Sequence, residues 1–332
     1  MPHAGEETAR SGEEALIARY FAPLAGPGAD GLRDDAASLT PSPGHDLVVT
    51  ADAVVAGVHY FPDDPPGSIA VKALGVNLSD LAAKGATPRG FLLTLALPDD
   101  WTEDWLAAFA EGLGASSREH GCPLLGGDTV RSGGPALIGV TAIGEVPTGT
   151  IVRRQAARAG DRLCVSGTIG DAAVGLALRH APDAGLDPVH GAALQDRYLH
   201  PRPRLALASV VRAHAHAAMD VSDGLVGDLT KMLFGTGLTA RIEAARVPLS
   251  PAARAAITRD PARLATALTG GDDYEILCAV PQAALAAFLA EAERVGVPMA
   301  EIGVVEAGEA PPLVVDAAGE AMVFGTGSFS HF

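Results

Sequence analysis

The chain of 332 residues is poor in cysteine, in basic residues and in long apolar runs, and each shortage closes off a class of function. Its three cysteines, Cys122, Cys164 and Cys278, are odd in number, far apart, and in neither C-x-x-C nor a zinc-ligand spacing. No disulfide framework or zinc site is expected, and a reducing cytoplasm fits best. Lys and Arg number 24 against 40 Asp and Glu, a formal charge of -16 at pH 7. That field repels polyanions and leaves no basic stripe for nucleic acid. The longest strongly apolar stretch, Gly90 to Pro98, is too short to span a bilayer, and the opening Met-Pro-His-Ala-Gly-Glu-Glu has no positive or apolar segment. Neither a membrane anchor nor an export signal is expected. The phosphate-loop pattern G-x-x-x-x-G-K-[ST] is missing. Gly26-Pro-Gly-Ala-Asp-Gly31 matches G-x-G-x-x-G, but it follows a predicted helix where a dinucleotide fold requires a strand.

What is present is the composition of a folded α/β protein, 48% hydrophobic and 19% charged, with 39 Gly and 24 Pro predicting many tight turns. Ser11 and Glu14 form a capping box ahead of an amphipathic helix through Phe21. Asp46 to Asp52 reads as a buried strand, Ser68 to Lys84 as an almost wholly apolar helix, Phe91 to Leu97 as a strand, Thr102 to Glu119 as a helix and Ala136 to Val146 as a strand. Pro147 to Gly160 lacks an apolar period and reads as a linker, dividing an N-terminal domain, 1–147, from a C-terminal α/β domain, 148–332. Beyond it come a strand at Arg162 to Ser166, a turn at Gly167 to Asp171 entering a helix, and a helix from Arg202 to His214. Ala217 to Ser222, a helix from Asp223, a strand at Tyr274 to Val280, a helix at Gln282 to Val295 and a strand near Ile302 to Val305 follow. His214 and His216 have strand spacing but no third metal ligand nearby.

The chemistry concentrates in aspartates beside small residues or at strand ends. They are Asp34-Asp35, Asp52, Asp80, Asp128 in Leu-Leu-Gly-Gly-Asp-Thr, Asp220 and Asp223 in Met-Asp-Val-Ser-Asp-Gly-Leu, and Asp272-Asp273 in Gly-Gly-Asp-Asp-Tyr-Glu. Singly, each has an ordinary reading: Asp34 in a turn, Asp223 as an N-cap, Asp80 paired with Lys84. As a set they point further. Asp80 sits in a segment so apolar that its carboxylate is buried, and a buried carboxylate demands a cation or donors. Oxygen-only clusters without His or Cys suit Mg²⁺, which shares carboxylates with substrate phosphates. Gly126-Gly127 and the Gly167-Thr-Ile-Gly170 turn permit close backbone approach, to a phosphate or simply in a tight turn. Arg153-Arg154 is the one compact basic pair near the linker.

Asp34-Asp35-Ala-Ala, Thr50-Ala-Asp52 with Val-Ala-Gly-Val-His59, and Lys72-Ala-Leu-Gly-Val-Asn-Leu-Ser-Asp80-Leu-Ala-Ala, followed by the Asp128, Asp220/Asp223 and Asp272 motifs, resemble the thiamine-monophosphate kinase family in its order, from about residue 14 to Phe332. The resemblance implies the two-domain α/β fold of the aminoimidazole ribonucleotide synthetase-like superfamily, with N-terminal halves pairing in a homodimer. It implies ATP-dependent phosphorylation of thiamine monophosphate to thiamine diphosphate, with several Mg²⁺ ions and no protein nucleophile. By resemblance Asp35, Thr50, Ala51 through its backbone, Asp52, Asp80, Asp128, Asp220 and Asp223 match magnesium positions. Gly127, Asp128, Arg154 and Ser222 match ATP positions, and His59, Asp272 and Phe329 match substrate positions. Two departures stand out: Arg33 where the family usually has Gly, and Ala51 where a hydroxyl residue is usual. The competing readings are another ATP-using synthetase of the superfamily and a non-catalytic nucleotide-binding or maturation scaffold. Val-Ala-Gly-Val-His59 and Ser-Phe-Ser-His-Phe332 argue against the first, and the absence of a terminal Cys against a maturation carrier.

Overall fold

The computed structural model describes residues Gly12 to Gly325. In chain order the elements are α1 (Gly12–Leu16), β1 (His45–Val55), α2 (Pro66–Ala83), β2 (Thr87–Leu97), α3 (Glu103–Glu119), β3 (Leu124–Arg131) and β4 (Leu137–Pro147). Then follow β5 (Arg162–Ser166), α4 (Asp171–His180), α5 (Pro188–Leu199), α6 (Ala208–His214), β6 (Ala217–Asp220), α7 (Leu225–Leu233) and β7 (Leu238–Glu243). The chain continues through α8 (Pro251–Arg259), α9 (Arg263–Thr269), β8 (Ile276–Val280), α10 (Leu285–Arg294), β9 (Met299–Ala307) and β10 (Leu313–Val315). Four strands form one sheet, in the order β1-β4-β2-β3, and six form another, β10-β7-β9-β5-β8-β6.

The chain resolves into two compact units. One comprises the described residues up to Thr40, Ala51–Leu74 and Arg89–Ala142; the other comprises Pro41–Thr50, Gly75–Pro88 and the chain from Ile143 onward. In the first unit, Leu93, Leu95 and Leu97 of β2 are buried while Leu92 is exposed, the period-2 signature of a strand with one covered face. Thr102 caps α3, its hydroxyl accepting the Trp105 N–H at 3.1 Å, and α3 buries Leu106, Phe109 and Leu113. In the second unit, alternate residues of the six-stranded sheet feed two hydrophobic layers. Leu163, Val165, Ala217, Met219, Leu277 and Ala279 pack with Leu225, Leu229 and Met232 of α7. Cys164, Ala218, Ile276, Cys278 and Val280 pack with Val210 and Val211 of α6, Phe288 of α10, and Ala82 and Ala83 at the end of α2. All three cysteines are free and buried.

Several boundaries differ from the sequence expectation for identifiable reasons. α2 begins at Pro66, two residues before Ser68, because proline is tolerated in a helix's first turn. Pro201 and Pro203 keep the chain out of a helix until a short turn at Leu205–Leu207, so α6 is shorter than the predicted Arg202 to His214. β8 begins at Ile276 because Tyr274 has a φ of 51°, outside the strand region. β3, α5, β7, α8, α9 and β10 went unpredicted, and in β3 paired glycines disguise the strand.

Candidate active site

In the second unit the acidic motifs meet through ordinary strand and helix periodicity. Side chains two apart on a strand share a face, so Asp220 follows Ala218 onto the layer where the end of α2 packs. There it lies against Asp80, and the Thr50 hydroxyl donates to Asp80 Oδ2. Burial, reinforced by the like charge of Asp80, pushes the Asp220 carboxyl well above the usual carboxylate range, while a hydrogen bond from Ser79 opposes the shift. Lys84, one turn after Asp80, feels its charge and also reaches across to β6, its Nζ donating to the Ala218 carbonyl at 2.9 Å.

Asp223 does not cap α7. Its carboxylate pairs with Lys231, no side chain caps the helix, and the turn before it is held by the fully buried Asp228 in the first turn of α7. Asp228 Oδ2 accepts the backbone N–H groups of Ser222 and Asp223, each at 2.9 Å, and Oδ1 accepts from Lys231 Nζ at 3.0 Å. This clamp fixes the Asp220 to Asp223 turn. The Gly-Gly-Asp-Asp-Tyr-Glu segment is laced to the same turn: the Asp272 N–H donates to Ser222 O, and the Tyr274 N–H to Val221 O, each at 2.8 Å. A side chain on Gly271 would strike Ser222 O, which explains the glycine. Asp272 and Tyr274 hold left-handed φ values of 73° and 51°, and such strain persists only where surroundings over-determine it. The surroundings here are an ion cluster: Arg197 donates to buried Glu275 at 2.9 Å, Arg204 Nε at 2.7 Å and the Ser166 hydroxyl at 2.6 Å. Beside it Asp273 is buried, its Oδ2 accepting the Gly170 N–H at 2.7 Å; burial, foremost, pushes its carboxyl well above the ordinary range. The Gly167 to Gly170 turn is thus occupied by the protein's own carboxylates. Arg154 is exposed, on a loop held by an Arg153–Ala217 bridge and by Gln155 Nε2 donating to Phe234 O at 2.9 Å.

In the first unit the predicted residues are more open. Asp35 is exposed, its N–H on Asp34 Oδ1 at 2.8 Å. Arg33, the departure before this pair, has a φ of -107°, so the turn makes no demand for glycine; its guanidinium pairs with Asp30 at 3.0 Å. Ala51 and Asp52 are exposed on β1, and Ala51 has no ligating side chain. His59 is half-buried, with its Nδ1 accepting the Val55 N–H at 3.1 Å, which leaves the ring proton on Nε2. Asp128 is exposed on β3 opposite Thr94. Gly127 lies inside that strand, where a Cβ would stand 1.9 Å from Leu93 O, so close strand packing already accounts for it. A cavity of about 290 Å³ in this unit, lined by Leu97, Trp101 and Arg131 among others, holds none of the predicted site residues. His214 and His216 bond to different carboxylates, Glu291 and Asp161, and form no joint site. Phe329 lies outside the described residues.

Among the described residues no three of His, Cys, Asp or Glu gather as a metal cage. Asp80 and Asp220 lie together beside the Thr50 hydroxyl, an oxygen donor set that fits a Mg²⁺ retaining waters and completing its shell with substrate phosphates.

The comparisons with known proteins agree with this chemistry. Residues 33–146 match the AIR synthase related protein N-terminal domain, and residues 158–316 match its C-terminal domain. The chain is 42% identical over 298 residues to the thiamine-monophosphate kinase of Caulobacter vibrioides, covering 88% of this chain and 84% of that one. The chain belongs to the thiamine-monophosphate kinase family. Its fold superposes on the thiamine-monophosphate kinase of Stenotrophomonas maltophilia with a TM-score of 0.79 at 41% identity, over 88% of this chain and 91% of that one. AaThiL complexed with AMPPCP and TMP superposes with a TM-score of 0.76 at 29% identity, over 96% and 94%.

Residues that the sequence reading gave no functional part are prominent around these motifs: Asp228, Glu275, Arg197, Arg204 and Lys231. Glu275 stood inside a quoted motif, and Asp228 and Lys231 lie within nine residues of Asp223, so proximity to a motif was the available signal.

Proposed function

We propose that this chain transfers the γ-phosphoryl group of ATP to the phosphate of thiamine monophosphate, giving thiamine diphosphate and ADP. A phosphate oxygen of thiamine monophosphate attacks the γ-phosphorus in line, forming the new P–O bond as the bond to the ADP oxygen breaks. No protein nucleophile is needed, since phosphoryl transfer relies on positioning and charge neutralisation. The observation that carries this reading is the Asp80–Asp220 pair, a half-buried and a buried carboxylate held together in an acidic protein. Asp80, Asp220 and Asp223, with Thr50, would hold magnesium in the second unit; Asp35, Asp52, Asp128 and the Ala51 carbonyl would do so in the first. Bound there, the cation supplies neutralisation of the phosphate charge. Arg154, Ser222, Gly127 and Asp128 are assigned to ATP. His59, Asp272 and Phe329 are assigned to thiamine monophosphate, with Asp272 held by the strained turn described above. The division at 147/148 is proposed as the boundary between a half carrying most metal and ATP motifs and a half carrying the Asp220 and Asp272 motifs.

A homodimer is part of the proposal. The outward positions of the four-stranded sheet include uncovered apolar side chains, with Leu47 42%, Val49 61%, Leu92 38% and Val130 43% exposed. A sheet face of that kind is a natural interface. No described helix is long and apolar enough to cross a membrane, and the free thiols fit the cytoplasm. Incubating the protein with ATP, Mg²⁺ and thiamine monophosphate, and separating products by chromatography, tests the activity: thiamine diphosphate is expected, and its absence refutes the reading. Light scattering tests the dimer, with Val49→Lys expected to give monomers.

A further inference from the structure

We propose that Lys84 and Lys231 are built-in counter-ions of the acidic motifs at Asp80, Asp220 and Asp223. They hold these carboxylates together when no divalent cation is bound and, by repulsion, weaken its binding. The inference rests on the assignment of those aspartates to magnesium.

Lys84 lies one helical turn after Asp80, its backbone N–H on Asp80 O at 3.0 Å. Its Nζ is fixed on Ala218 O at 2.9 Å, two residues before Asp220 on β6, so the ammonium is anchored between the elements that carry the carboxylate pair. Asp220 and Asp80 are the anions that act on this ammonium. Lys231 reaches Asp223 and, at 3.0 Å, the Asp228 carboxylate that clamps the Ser222–Asp223 backbone. Both lysines therefore serve carboxylates whose mutual repulsion would otherwise oppose folding. A fixed positive charge beside a cation site has the opposite effect on the bound state, because it repels Mg²⁺. Asp223 can accept a metal only by giving up, or sharing, its ion pair with Lys231.

The test compares wild type with Lys84→Met, Lys231→Met and Lys231→Arg, using Asp220→Asn as the reference for magnesium itself. Each protein is stripped with chelator and titrated with Mg²⁺ by calorimetry and thermal melting. The Met variants are expected to melt a few degrees lower without metal, to bind Mg²⁺ several-fold more tightly, and to regain wild-type Tm when saturated. Lys231→Arg, which keeps the charge, should match wild type. If Lys84→Met fails to fold even in Mg²⁺, Lys84→Gln, which keeps a donor for Ala218 O, takes its place. Mg²⁺ affinity that is unchanged or weaker in the Met or Gln variants overturns the counter-ion role while leaving the magnesium assignment standing. Wild type that binds no Mg²⁺, or Asp220→Asn that binds it normally, overturns both.

Discussion

The two units carry acidic motifs of the same residue type in opposite surroundings. In the second, Asp220 and Asp228 are buried, Asp80 is half-buried beside Asp220, and lysines and backbone N–H groups compensate them. In the first, Asp35, Asp52 and Asp128 stand exposed on a turn and on strands. A carboxylate held away from water costs stability whenever its charge is uncompensated, whereas an exposed one costs almost nothing. On the proposed magnesium assignment, cation binding in the second unit would be coupled to that unit's stability, whereas the first would present ligands with little structural consequence.

The largest test of that contrast is charge removal. Asp220→Asn is expected to lower turnover by about 100-fold, since a carboxylate assigned to magnesium is lost, and to raise the Tm of the metal-free protein, since a buried carboxylate is freed of its like-charged neighbour. Asp128→Asn should also lower turnover but leave the metal-free Tm unchanged. Equal Tm shifts in the two variants would erase the distinction. Next in size is Asp228→Ala, which strips partners from the buried turn and should cost about 1–3 kcal/mol in denaturant melts. Native stability in that variant would show that Lys231 and the strand alone hold the turn.

A smaller effect is expected at Phe329. A phenyl face attracts the cationic ring of thiamine by roughly 0.5–2 kcal/mol, so Phe329→Ala should raise the thiamine monophosphate KM several-fold with ATP affinity preserved. A large fall in Tm with unchanged KM would assign the ring to the protein interior instead. The smallest concerns pH. Because the folded pKa of Asp273 is raised, its contribution to stability is fully present below the unfolded carboxylate value of about 4, and it is lost as pH rises through the folded value. Asp273→Asn, isosteric and uncharged, should flatten that part of the stability profile measured in the metal-free protein; an unchanged profile would mean another group sets the slope.

Much of this was legible in the sequence because it depends on local pattern. The apolar helix around Asp80, the Ala217 to Ser222 segment that carries Asp220 and the motif order all follow from periodicity and spacing, and the family resemblance was carried by those same residues. What the sequence hid depends on contacts distant along the chain. Glu275 meets Arg197, Arg204 and Ser166 from three separate segments, and no spacing rule announces such a cluster. β3 was hidden for a related reason: Gly126-Gly127 reads as a loop until the Leu93 backbone is seen pressed against Gly127. Arg33 looked like a disturbance of the turn only because its φ could not be read from its neighbours.

The most direct measurement of the central claim is thiamine diphosphate formation from ATP and thiamine monophosphate as a function of free Mg²⁺, with wild type and Asp220→Asn side by side. The account predicts product that rises with Mg²⁺ and disappears in excess chelator for wild type, and almost none for the variant at any concentration. Undiminished turnover in chelator, or a variant as active as wild type, would contradict it.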